Sequence, residues 1–370
     1  MKILWICGSP VLGGAERATL RIAAELRARG HQTAVCCPDA SPLARAARAS
    51  GLAVDPANGG WRPPSAWVAI SRALRRKRPD ITWATAATEW VPVCLSVSHR
   101  LGTAVVLARH MTLPISPPVR WLARRRADAV VAVSEAVRRS LRGIPPRLIS
   151  VIPVPPRFPP RARVPTATER AQARAALRLD PTGHWVAFCG GLNPAKGIED
   201  VLHAVGEVNR RTLTRVVICG LKGHERALGQ LPGWIGRFGL AGRVSYLGEV
   251  ERVDTVMTAA DAVLLATHRS LGEAMPLTVL EAMACGTPVV AYAVGGTPEA
   301  LGADGEAGRL ARCDDPESLA ERLAAVLEEP DAAAAMAARA LGRVREQFAP
   351  ERIADQYERL FRRIGGPEHN

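Results

Sequence analysis

The sequence predicts an α/β protein with two similar domains, each built on a parallel sheet that is covered by helices on both faces. Three observations support this prediction. The chain has 370 residues, more than one ordinary hydrophobic core accommodates. Short apolar segments alternate with helical patterns along its length, as βαβ units require. Residues 152–165 contain six prolines, which excludes a helix or a central strand there and separates two halves.

The first domain is predicted over residues 1–155 and begins with the strand segment ILWIC. A glycine turn follows, and then AERATLRIAAELRARG, in which apolar residues recur at helical spacing. Further strands are predicted at TAVCCP, ITWAT, AVVLARH and AVVAVS. A stiff linker is predicted over residues 156–166. The second domain, residues 167–345, contains the predicted strands WVAFCGG, VVICG, VSYLG, AVLLAT and PVVAY.

The net charge of +14 is unevenly distributed. Residues 1–165 contain 26 Lys and Arg against 8 Asp and Glu, whereas residues 166–370 contain 23 against 27. The basic first half suits an anionic partner, such as lipid headgroups, a pyrophosphate-linked substrate or nucleic acid. A general preference for arginine is the alternative explanation, although the acidic second half limits it. A hydrophobic content of 48% excludes a disordered chain.

Cysteine usage and the apolar segments predict a cytoplasmic protein. The eight cysteines form no CxxC pair and lie mostly in apolar segments, which favours reduced, buried thiols over disulfides or zinc. The start, MKILWICGSP, is too short for a signal-peptide core. No uncharged apolar run reaches the ~18 residues that span a bilayer. The longest candidate, residues 81–98, is interrupted by Glu89 and Pro92.

Two glycine turns follow predicted strands. In CGSPVLGGAER, Gly13 and Gly14 stand before a helix, where bare backbone can approach a phosphate or a sugar closely. The GxGxxG spacing is absent, and a plain tight turn is the alternative. In CGGLNPAKGIED, Lys196 stands beside a helix N-terminus, which outlines a pyrophosphate site. The P-loop spacing is not matched, and a solvated lysine is the alternative.

The most specific segment is HRSLGEAMPLTVLEAMACGTPVVAYAVGGTPEAL. Glu273 precedes a short loop, and Glu281 lies eight residues further on in a helical pattern, so the two carboxylates can address different parts of a long ligand. Backbone amides near Leu277 and Thr278 would meet a phosphate between them. A further glycine turn follows at residues 295–296.

His110 ends the predicted strand AVVLARH. Ligands of open α/β sheets bind at the carboxyl ends of the strands, so His110 is a candidate functional residue. No group of metal-ligating residues accompanies it in the sequence, and no metal site is predicted.

These segments resemble glycosyltransferase family 4, whose members are retaining enzymes of GT-B fold with two Rossmann-like domains facing a cleft. The resemblance rests on EAMPLTVLE, with its Glu-x7-Glu spacing, and on AMACGTPVVA, VGGTPE, GGAER, LARH, AVVAVSEAVRRSL and CGGLNPAKGIEDVLHAV in the family's order. It covers nearly the whole chain. It implies that the domains close over the donor and that residues 346–370 form a helix crossing back to the first domain.

The resemblance also implies a reaction and the residues that serve it. A hexosyl group would move from a nucleotide-diphosphate sugar to an acceptor without a metal or other cofactor. Lys196 would neutralise the diphosphate, Glu273 would contact the donor sugar, and His110 would reach the transferred sugar. Donor binding would further involve Gly13, Gly14, Gly191, Leu277, Thr278 and Glu281, with Glu281 on the ribose hydroxyls.

One departure from the family concerns the donor diphosphate. The family usually carries an arginine where this chain has Gly191. Losing one charge-assisted contact to phosphate costs roughly 1.5–3 kcal/mol. Arg269 is a candidate substitute, and an inactive relative is the alternative.

The basic first half leads to a hypothesis about partners and location. Trp121 and Leu122 lie beside Arg124–Arg126, and a second basic cluster occupies residues 75–78. This pattern suits peripheral attachment to an anionic membrane on its cytoplasmic face, with a lipid-linked or polysaccharide acceptor. The alternative is that Trp121 belongs to the core. Two other classes remain open: a sugar-nucleotide epimerase of the same fold, and a nucleic-acid-binding protein, for which no recognition motif is present.

Overall fold

The computed structural model describes residues 1–57, 65–96, 102–220 and 225–365. It divides the chain into two compact units. Unit 1 consists of Met1–Arg157 and Pro350–Asn370, and unit 2 consists of Phe158–Ala349. The last two residues of the apolar segment 81–98 and the last five of the predicted C-terminal segment 346–370 lie outside the described residues.

Unit 1 contains a seven-stranded parallel sheet. Its strands are β1 (Lys2–Ile6), β2 (Gln32–Cys37), β3 (Ala53–Pro56), β4 (Ile81–Ala84), β5 (Ala104–Arg109), β6 (Ala129–Ala132) and β7 (Ile149–Val151), in the order β3-β2-β1-β4-β5-β6-β7. Its first helices are α1 (Gly14–Ala28), α2 (Pro42–Ala49), α3 (Ser65–Lys77), α4 (Ala87–Ser96), α5 (Pro117–Arg126) and α6 (Glu135–Ser140). A short 3-10 helix, Pro146–Leu148, precedes β7.

Unit 2 contains a six-stranded parallel sheet. Its strands are β8 (His184–Cys189), β9 (Thr214–Cys219), β10 (Val244–Gly248), β11 (Ala262–Leu265), β12 (Val289–Tyr292) and β13 (Arg309–Ala311), in the order β10-β9-β8-β11-β12-β13. Its helices are α7 (Ala167–Ala176), α8 (Ile198–Asn209), α9 (Glu225–Arg237), α10 (Val253–Ala259), α11 (Leu277–Cys285), α12 (Thr297–Leu301), α13 (Pro316–Glu328) and α14 (Pro330–Arg343). A 3-10 turn, Pro194–Lys196, follows β8, and a π-helix, Val344–Phe348, follows α14.

The central strands are buried along their whole length because helices cover both faces of each sheet. Every residue of β4, β6, β11 and β12 is buried. Such strands read as continuous apolar runs rather than as alternating patterns. The predicted class of two Rossmann-like α/β domains is confirmed. Three strands, β3, β7 and β13, were not predicted, because each is only three or four residues long.

Both sheets reverse their strand order at one point. In unit 1 the reversal lies between β1 and β4, and in unit 2 it lies between β8 and β11. Loops on the two sides of such a point leave the sheet in opposite directions and open a crevice at the carboxyl ends of the strands, where ligands of open α/β sheets bind.

The chain returns to unit 1 in the helix α15 (Pro350–Gly365). Its apolar face packs into the core of that unit, where the ring of Tyr357 lies 5.2 Å from the ring of Trp83 and Phe361 is fully buried. Arg29, the residue just after α1, binds Asp355 of α15 at 2.6 Å. The helix therefore supplies part of the hydrophobic core of unit 1.

Most of the proline-rich segment packs within unit 2. The backbone N–H of Arg161 donates to the carbonyl of Ala284 at 2.9 Å, and its guanidinium binds Glu169 at 2.9 Å. Of the predicted linker, residues 156–166, the structure assigns the part beginning at Phe158 to this unit.

The structure contains eight free thiols, most of them buried. All eight cysteines are free, and only Cys313 is partly exposed. In the part of the chain that the structure describes, no helix combines the length and the apolar character that crossing a bilayer requires.

Candidate functional site

The side chains of Lys196 and Glu273 meet where the strand order of unit 2 reverses. Lys196 ends the 3-10 turn after β8, and Glu273 lies in the loop between β11 and α11. The Nζ atom of Lys196 is 2.7 Å from Oε2 of Glu273. The hydroxyl of Thr267, just beyond β11, donates to the same oxygen at 3.0 Å. The structure thus brings together two residues that the sequence analysis selected separately.

Two glycines with positive φ allow this approach. Gly197 has φ +71°, and a Cβ there would lie 2.0 Å from the carbonyl oxygen of Ala266 at the end of β11. Gly295 has φ +56°, and a Cβ there would lie 1.8 Å from the carbonyl oxygen of Glu273. The N–H of Gly296 donates to that same carbonyl at 2.7 Å. Only glycine fits these positions, so the backbone of Glu273 is fixed as firmly as its side chain.

The ion pair leaves bonding capacity for a ligand. The side chain of Lys196 is 29% exposed and that of Glu273 is 13% exposed, so their attraction is stronger than in bulk water. An ammonium group has three donors, of which Glu273 uses one. The hydrogen bonds from Lys196 and Thr267 both end on Oε2. The ammonium can therefore bind an anion while Oε1 of Glu273 accepts a hydrogen bond from a hydroxyl.

The first turn of α11 lies against the end of β8. The hydroxyl of Thr278 donates to the carbonyl of Cys189 at 3.1 Å. Among the described residues, the backbone amides of Leu277 and Thr278 have no hydrogen-bond acceptor. Free amides and the positive end of the helix dipole make this terminus suited to a phosphate. The side chain of Thr278 has a structural role that the sequence analysis did not predict.

Glu281 lies one turn further along α11, near the buried thiols. A hydrogen bond with Cys219 and burial raise the pKa of Cys189, and the charge of Glu281 adds to the shift. Burial raises the pKa of Cys285, to which Glu281 also contributes. Glu281 thus lies on the helix whose first turn contacts the end of β8 through Thr278.

Among the described residues, a Cβ built on Gly191 meets no atom within 4 Å, and the φ of Gly191 is not positive. Arg269 does not fill this space, because it is engaged elsewhere. The backbone N–H of Arg269 donates to Asp314 at 3.2 Å, and its guanidinium forms a hydrogen bond with Cys313. Burial raises the pKa of the Cys313 thiol, and this hydrogen bond opposes the rise. Both partners follow β13, on the side of β11 away from β8. In this structure the side chain of Arg269 is therefore directed away from Gly191, and its role as a substitute cation stays a prediction.

The reversal point of unit 1 is organised around a different carboxylate. Oε1 of Glu89 accepts the N–H of Gly8, just after β1, at 3.0 Å, and Oε2 accepts the N–H of Ala86, just after β4. Glu89 is 1% exposed. Burial raises its pKa to about 7, although the hydrogen bonds from the backbone and from Thr88 oppose the shift.

Gly13 and Gly14 lie at the other end of the loop that begins at Gly8. Gly13 is the N-cap of α1 and Gly14 is its first residue, so the helix begins one residue earlier than predicted. The N–H of Gly13 donates to Oε2 of Glu16 at 2.9 Å. The loop between β1 and α1 is thus held by a carboxylate at each end.

His110 follows β5 directly, at the carboxyl edge of the unit 1 sheet. Burial, aided by the charge of Arg109, lowers the pKa of His110 to about 4. Its Nε2 atom is buried without a hydrogen-bond partner among the described residues. The imidazole is therefore neutral at pH 7 and can donate or accept one hydrogen bond, but it cannot serve as a cation.

Within residues 1–57, 65–96, 102–220 and 225–365, no group of three or more His, Cys, Asp or Glu could hold a metal ion. The structure adds three polar residues that the sequence analysis did not select: Thr267, Glu16 and Glu89. Glu89 had a visible signal, since it is a lone charge within an apolar segment.

Comparisons with known proteins identify the family. The model for glycosyl transferases group 1 matches residues 169–343, and the model for Glycosyltransferase Family 4 matches residues 12–155. The two models together match most of the chain, one in each half, and both describe glycosyltransferases. The first match contains Lys196, Glu273 and α11, and the second contains Glu89 and His110.

Curated relatives of this glycosyltransferase chain include two D-inositol 3-phosphate glycosyltransferases. The protein from Mycolicibacterium gilvum is 32% identical over 253 residues, which cover 65% of this chain and 54% of the relative. The protein from Frankia alni is 37% identical over 183 residues, covering 47% and 44%. The chain thus spans about half the length of the curated relatives it matches.

Solved structures share the fold over nearly the whole chain. Anabaena HepE, solved in complex with UDP and glucose, has a TM-score of 0.83 and 23% identity, and the match covers 97% of this chain and 98% of HepE. HepE has also been solved in complex with UDP-glucose.

Proposed function

We propose that this chain is a retaining, metal-independent hexosyltransferase that moves a sugar from a nucleotide-diphosphate sugar to a lipid-linked or polysaccharide acceptor. The observation that carries the proposal is the Lys196–Glu273 pair at the reversal point of unit 2, next to the free amides of α11. A cation and helix-terminal amides suit a diphosphate, and a carboxylate with a free oxygen suits a sugar hydroxyl.

The proposed donor roles are those that the resemblance implies, and the geometry of unit 2 is compatible with them. Lys196 would share its ammonium between Glu273 and the diphosphate, and the amides of Leu277 and Thr278 would bind phosphate oxygens. Oε1 of Glu273 would accept a hydrogen bond from the donor sugar, and Glu281 would bind the ribose. Gly191 would allow the diphosphate to approach the backbone after β8. That HepE was solved with UDP and with UDP-glucose supports a nucleotide-sugar donor.

The proposed chemistry transfers the sugar with retention of its configuration. The bond between the anomeric carbon and the diphosphate oxygen breaks, and the acceptor oxygen bonds to the same face of that carbon. The acceptor proton passes to the leaving phosphate oxygen. Lys196 and the amides of α11 would stabilise the charge that develops on the diphosphate, so no metal is required. Neutral His110 would donate to a sugar hydroxyl, and Gly13 and Gly14 would provide close backbone approach.

A screen of nucleotide sugars tests this proposal. The chain is incubated with each donor and with a lipid-linked glycan, a soluble polysaccharide or D-inositol 3-phosphate, the last because it occurs in the relatives' names. Mass spectrometry should find a glycosylated acceptor and a free nucleoside diphosphate, with an unchanged rate in EDTA. Proton NMR should show the donor's anomeric configuration in the product.

Other outcomes would contradict the proposal. Epimerised sugar nucleotide formed without acceptor would indicate an epimerase. Absence of both binding and turnover with every donor would indicate an inactive relative. Inhibition by EDTA that a divalent cation reverses would overturn metal independence, and an inverted product would overturn retention.

We also propose that unit 1 attaches to the cytoplasmic face of an anionic membrane. Trp121 is 58% exposed, with the guanidinium of Arg125 at 5.2 Å from its ring, so the alternative that this tryptophan is core is wrong. The neighbouring helix α4 packs against both α3 and α5 and exposes Leu95. The last turns of α3 and α5 are basic, with Arg75, Arg76, Lys77, Arg124, Arg125 and Arg126.

The charges on these three helices favour lipid over other surfaces. Among their described residues the sole acid is Glu89, which is buried. Arg76 pairs with Asp55, and within the described part of the chain no ion pair joins the other basic side chains of these helix ends to an acid. Each Lys or Arg near an anionic surface contributes about 1 kcal/mol, so several together hold a protein reversibly.

Sedimentation with vesicles tests membrane attachment. The protein should pellet with phosphatidylserine-containing vesicles at low salt, and it should remain in solution at high salt or with phosphatidylcholine alone. Arg124→Glu with Arg125→Glu should abolish pelleting, whereas Arg210→Glu on the exposed surface of unit 2 should not. Failure of the unsubstituted protein to pellet at low salt would reject the proposal.

A further inference from the structure

Glu89 is a buried carboxylate that the proposed reaction does not use. It lies in the first turn of α4, and its two oxygens accept hydrogen bonds from Gly8 and Ala86, which are the residues just beyond two adjacent parallel strands. The hydroxyl of Thr88 adds a third hydrogen bond at 3.2 Å. A carboxylate with these three donors ties the ends of β1 and β4 together at the reversal point of the sheet.

The loop that begins at Gly8 is exposed at its centre, where Val11 is 62% exposed. Among the described residues, the hydroxyl of Ser9 bonds to Val11 within the same loop, and Leu12 packs against the core of unit 1. At its far end Glu16 holds Gly13. Glu89 therefore holds the end of the loop nearer the sheet, while Leu12 and Glu16 hold the end nearer α1.

We propose that Glu89 is a positioning residue, whose carboxylate fixes the β1–α1 loop against the turn after β4 and thereby sets the position of Gly13 and Gly14. The functional half of this inference rests on the proposed transfer reaction, in which that loop meets the substrates. The anchoring half rests on the structure alone. Glu89 itself touches no substrate in this proposal.

The chemistry of the two oxygens makes the role specific to a carboxylate. Both face N–H groups, so both must accept. Glutamine offers one accepting oxygen, and its NH2 group would meet either the N–H of Gly8 or that of Ala86. Aspartate keeps the charge but is one methylene shorter, so it cannot reach both loops.

Hydrogen–deuterium exchange measures the anchoring. Glu89→Gln and Glu89→Asp should each raise exchange in a peptide covering residues 7–14 by about tenfold or more, with unchanged far-ultraviolet circular dichroism. The matched control is Asp128→Asn. It removes a carboxylate that accepts the N–H of Val105 near the amino end of β5, whereas Glu89 lies at the carboxyl ends of the strands. This control should leave residues 7–14 unchanged.

A pH series separates a positioning role from general loosening. The titratable groups that interact with Glu89 are Cys7 at the end of β1 and Glu16 on α1. Protonation near pH 7 removes an acceptor, so protection of the loop, corrected for intrinsic exchange, should fall as pH decreases from 8 to 6. In Glu89→Gln this pH dependence should vanish, and in Glu89→Asp the midpoint should fall below 7.

Turnover completes the test. A displacement of about 1 Å can cost 10²-fold in rate, so kcat in Glu89→Gln should fall by about 10- to 100-fold with little change in KM for the donor. Unchanged exchange in residues 7–14, or unchanged kcat, would overturn the inference. If the unsubstituted protein transfers no sugar, the proposed function fails, and the exchange measurements alone decide whether Glu89 anchors the loop.

Discussion

The two reversal points have the same strand order, and the carboxylate that joins the loops at each of them has different partners. Glu89 in unit 1 is buried and accepts from backbone amides. Glu273 in unit 2 is partly exposed and accepts from Lys196 and Thr267. Both oxygens of Glu89 are occupied by backbone N–H groups that are fixed in their loops, so the role of Glu89 is structural. An ammonium group can share its hydrogen bonds with a ligand, so Glu273 and Lys196 are available for chemistry.

The charges of the two halves of the sequence also differ. The first 165 residues are strongly basic on balance, whereas the remainder is slightly acidic. The basic residues of α3 and α5 lie on the outer helices of unit 1 rather than at its reversal point. The excess of basic residues therefore lies on α3 and α5 of unit 1, whereas the cation paired with a carboxylate, Lys196, lies at the reversal point of unit 2.

The largest effect is expected from removing the cation of unit 2. Lys196→Ala should lower kcat by about 10²–10³-fold, because a donor that stabilises developing charge is lost. Stability should change by no more than about 1 kcal/mol, since the ion pair is partly exposed. Steady-state kinetics and thermal unfolding measure the two quantities.

Two further variants give this prediction its control. Glu273→Gln should lower kcat similarly, since the amide keeps one accepting oxygen but loses the charge that orients Lys196. Arg210→Ala removes an exposed cation of unit 2 that pairs with Glu207, and it should leave kcat unchanged. A kcat in Lys196→Ala within threefold of the unsubstituted value would contradict the proposal that the reversal point of unit 2 carries the chemistry.

The next largest effect is expected at Gly295. A methyl group there would strike the carbonyl of Glu273 and require a positive φ, so Gly295→Ala should destabilise unit 2 by about 1–3 kcal/mol. For a domain of this size that corresponds to a fall in Tm of about 2–4 °C per kcal/mol. Donor affinity should fall as well, because Glu273 moves with its backbone.

Gly236→Ala is the matched control for that experiment. Gly236 lies in α9, and a Cβ there meets nothing within 4 Å, so the substitution should be neutral or should stabilise the helix by roughly 0.5–1 kcal/mol. Equal Tm values for Gly295→Ala and the unsubstituted protein would show that the glycine turn does not fix Glu273.

The sequence predicted much of this arrangement because its signals are local. Buried parallel strands are apolar throughout, so β1, β8 and β11 stand out as short runs. β7 and β13 have only three residues each, too few for a pattern, and they exist because neighbouring strands offer hydrogen bonds. Lys196 and Glu273 were found because each stands beside a glycine turn or a helix start.

The contacts that the sequence could not predict join distant residues or depend on side-chain direction. Glu89 and Gly8 are 81 positions apart, so the lone charge in an apolar segment was visible but its partner was not. Arg269 lies four residues from Glu273, yet its side chain turns toward Cys313. The exposure of Trp121 depends on what packs around α5, which neither periodicity nor composition reports.

The smallest effect is a gain, expected at Gly191. Among the described residues no atom lies within 4 Å of a Cβ built on this residue, its φ is not positive, and the loop that carries it leads to Lys196. An added guanidinium beside a diphosphate forms charge-assisted hydrogen bonds worth about 1.5–3 kcal/mol. Gly191→Arg should therefore tighten UDP binding by about tenfold, measured by isothermal titration calorimetry, and the gain should shrink at high salt.

Gly229→Arg is the matched control. It adds the same charge on α9, where a Cβ also meets no described atom within 4 Å, and it should change UDP affinity little. Equal gains in both variants would mean that net charge, rather than a contact at the end of β8, determines affinity, and no gain in Gly191→Arg would place the diphosphate away from this loop.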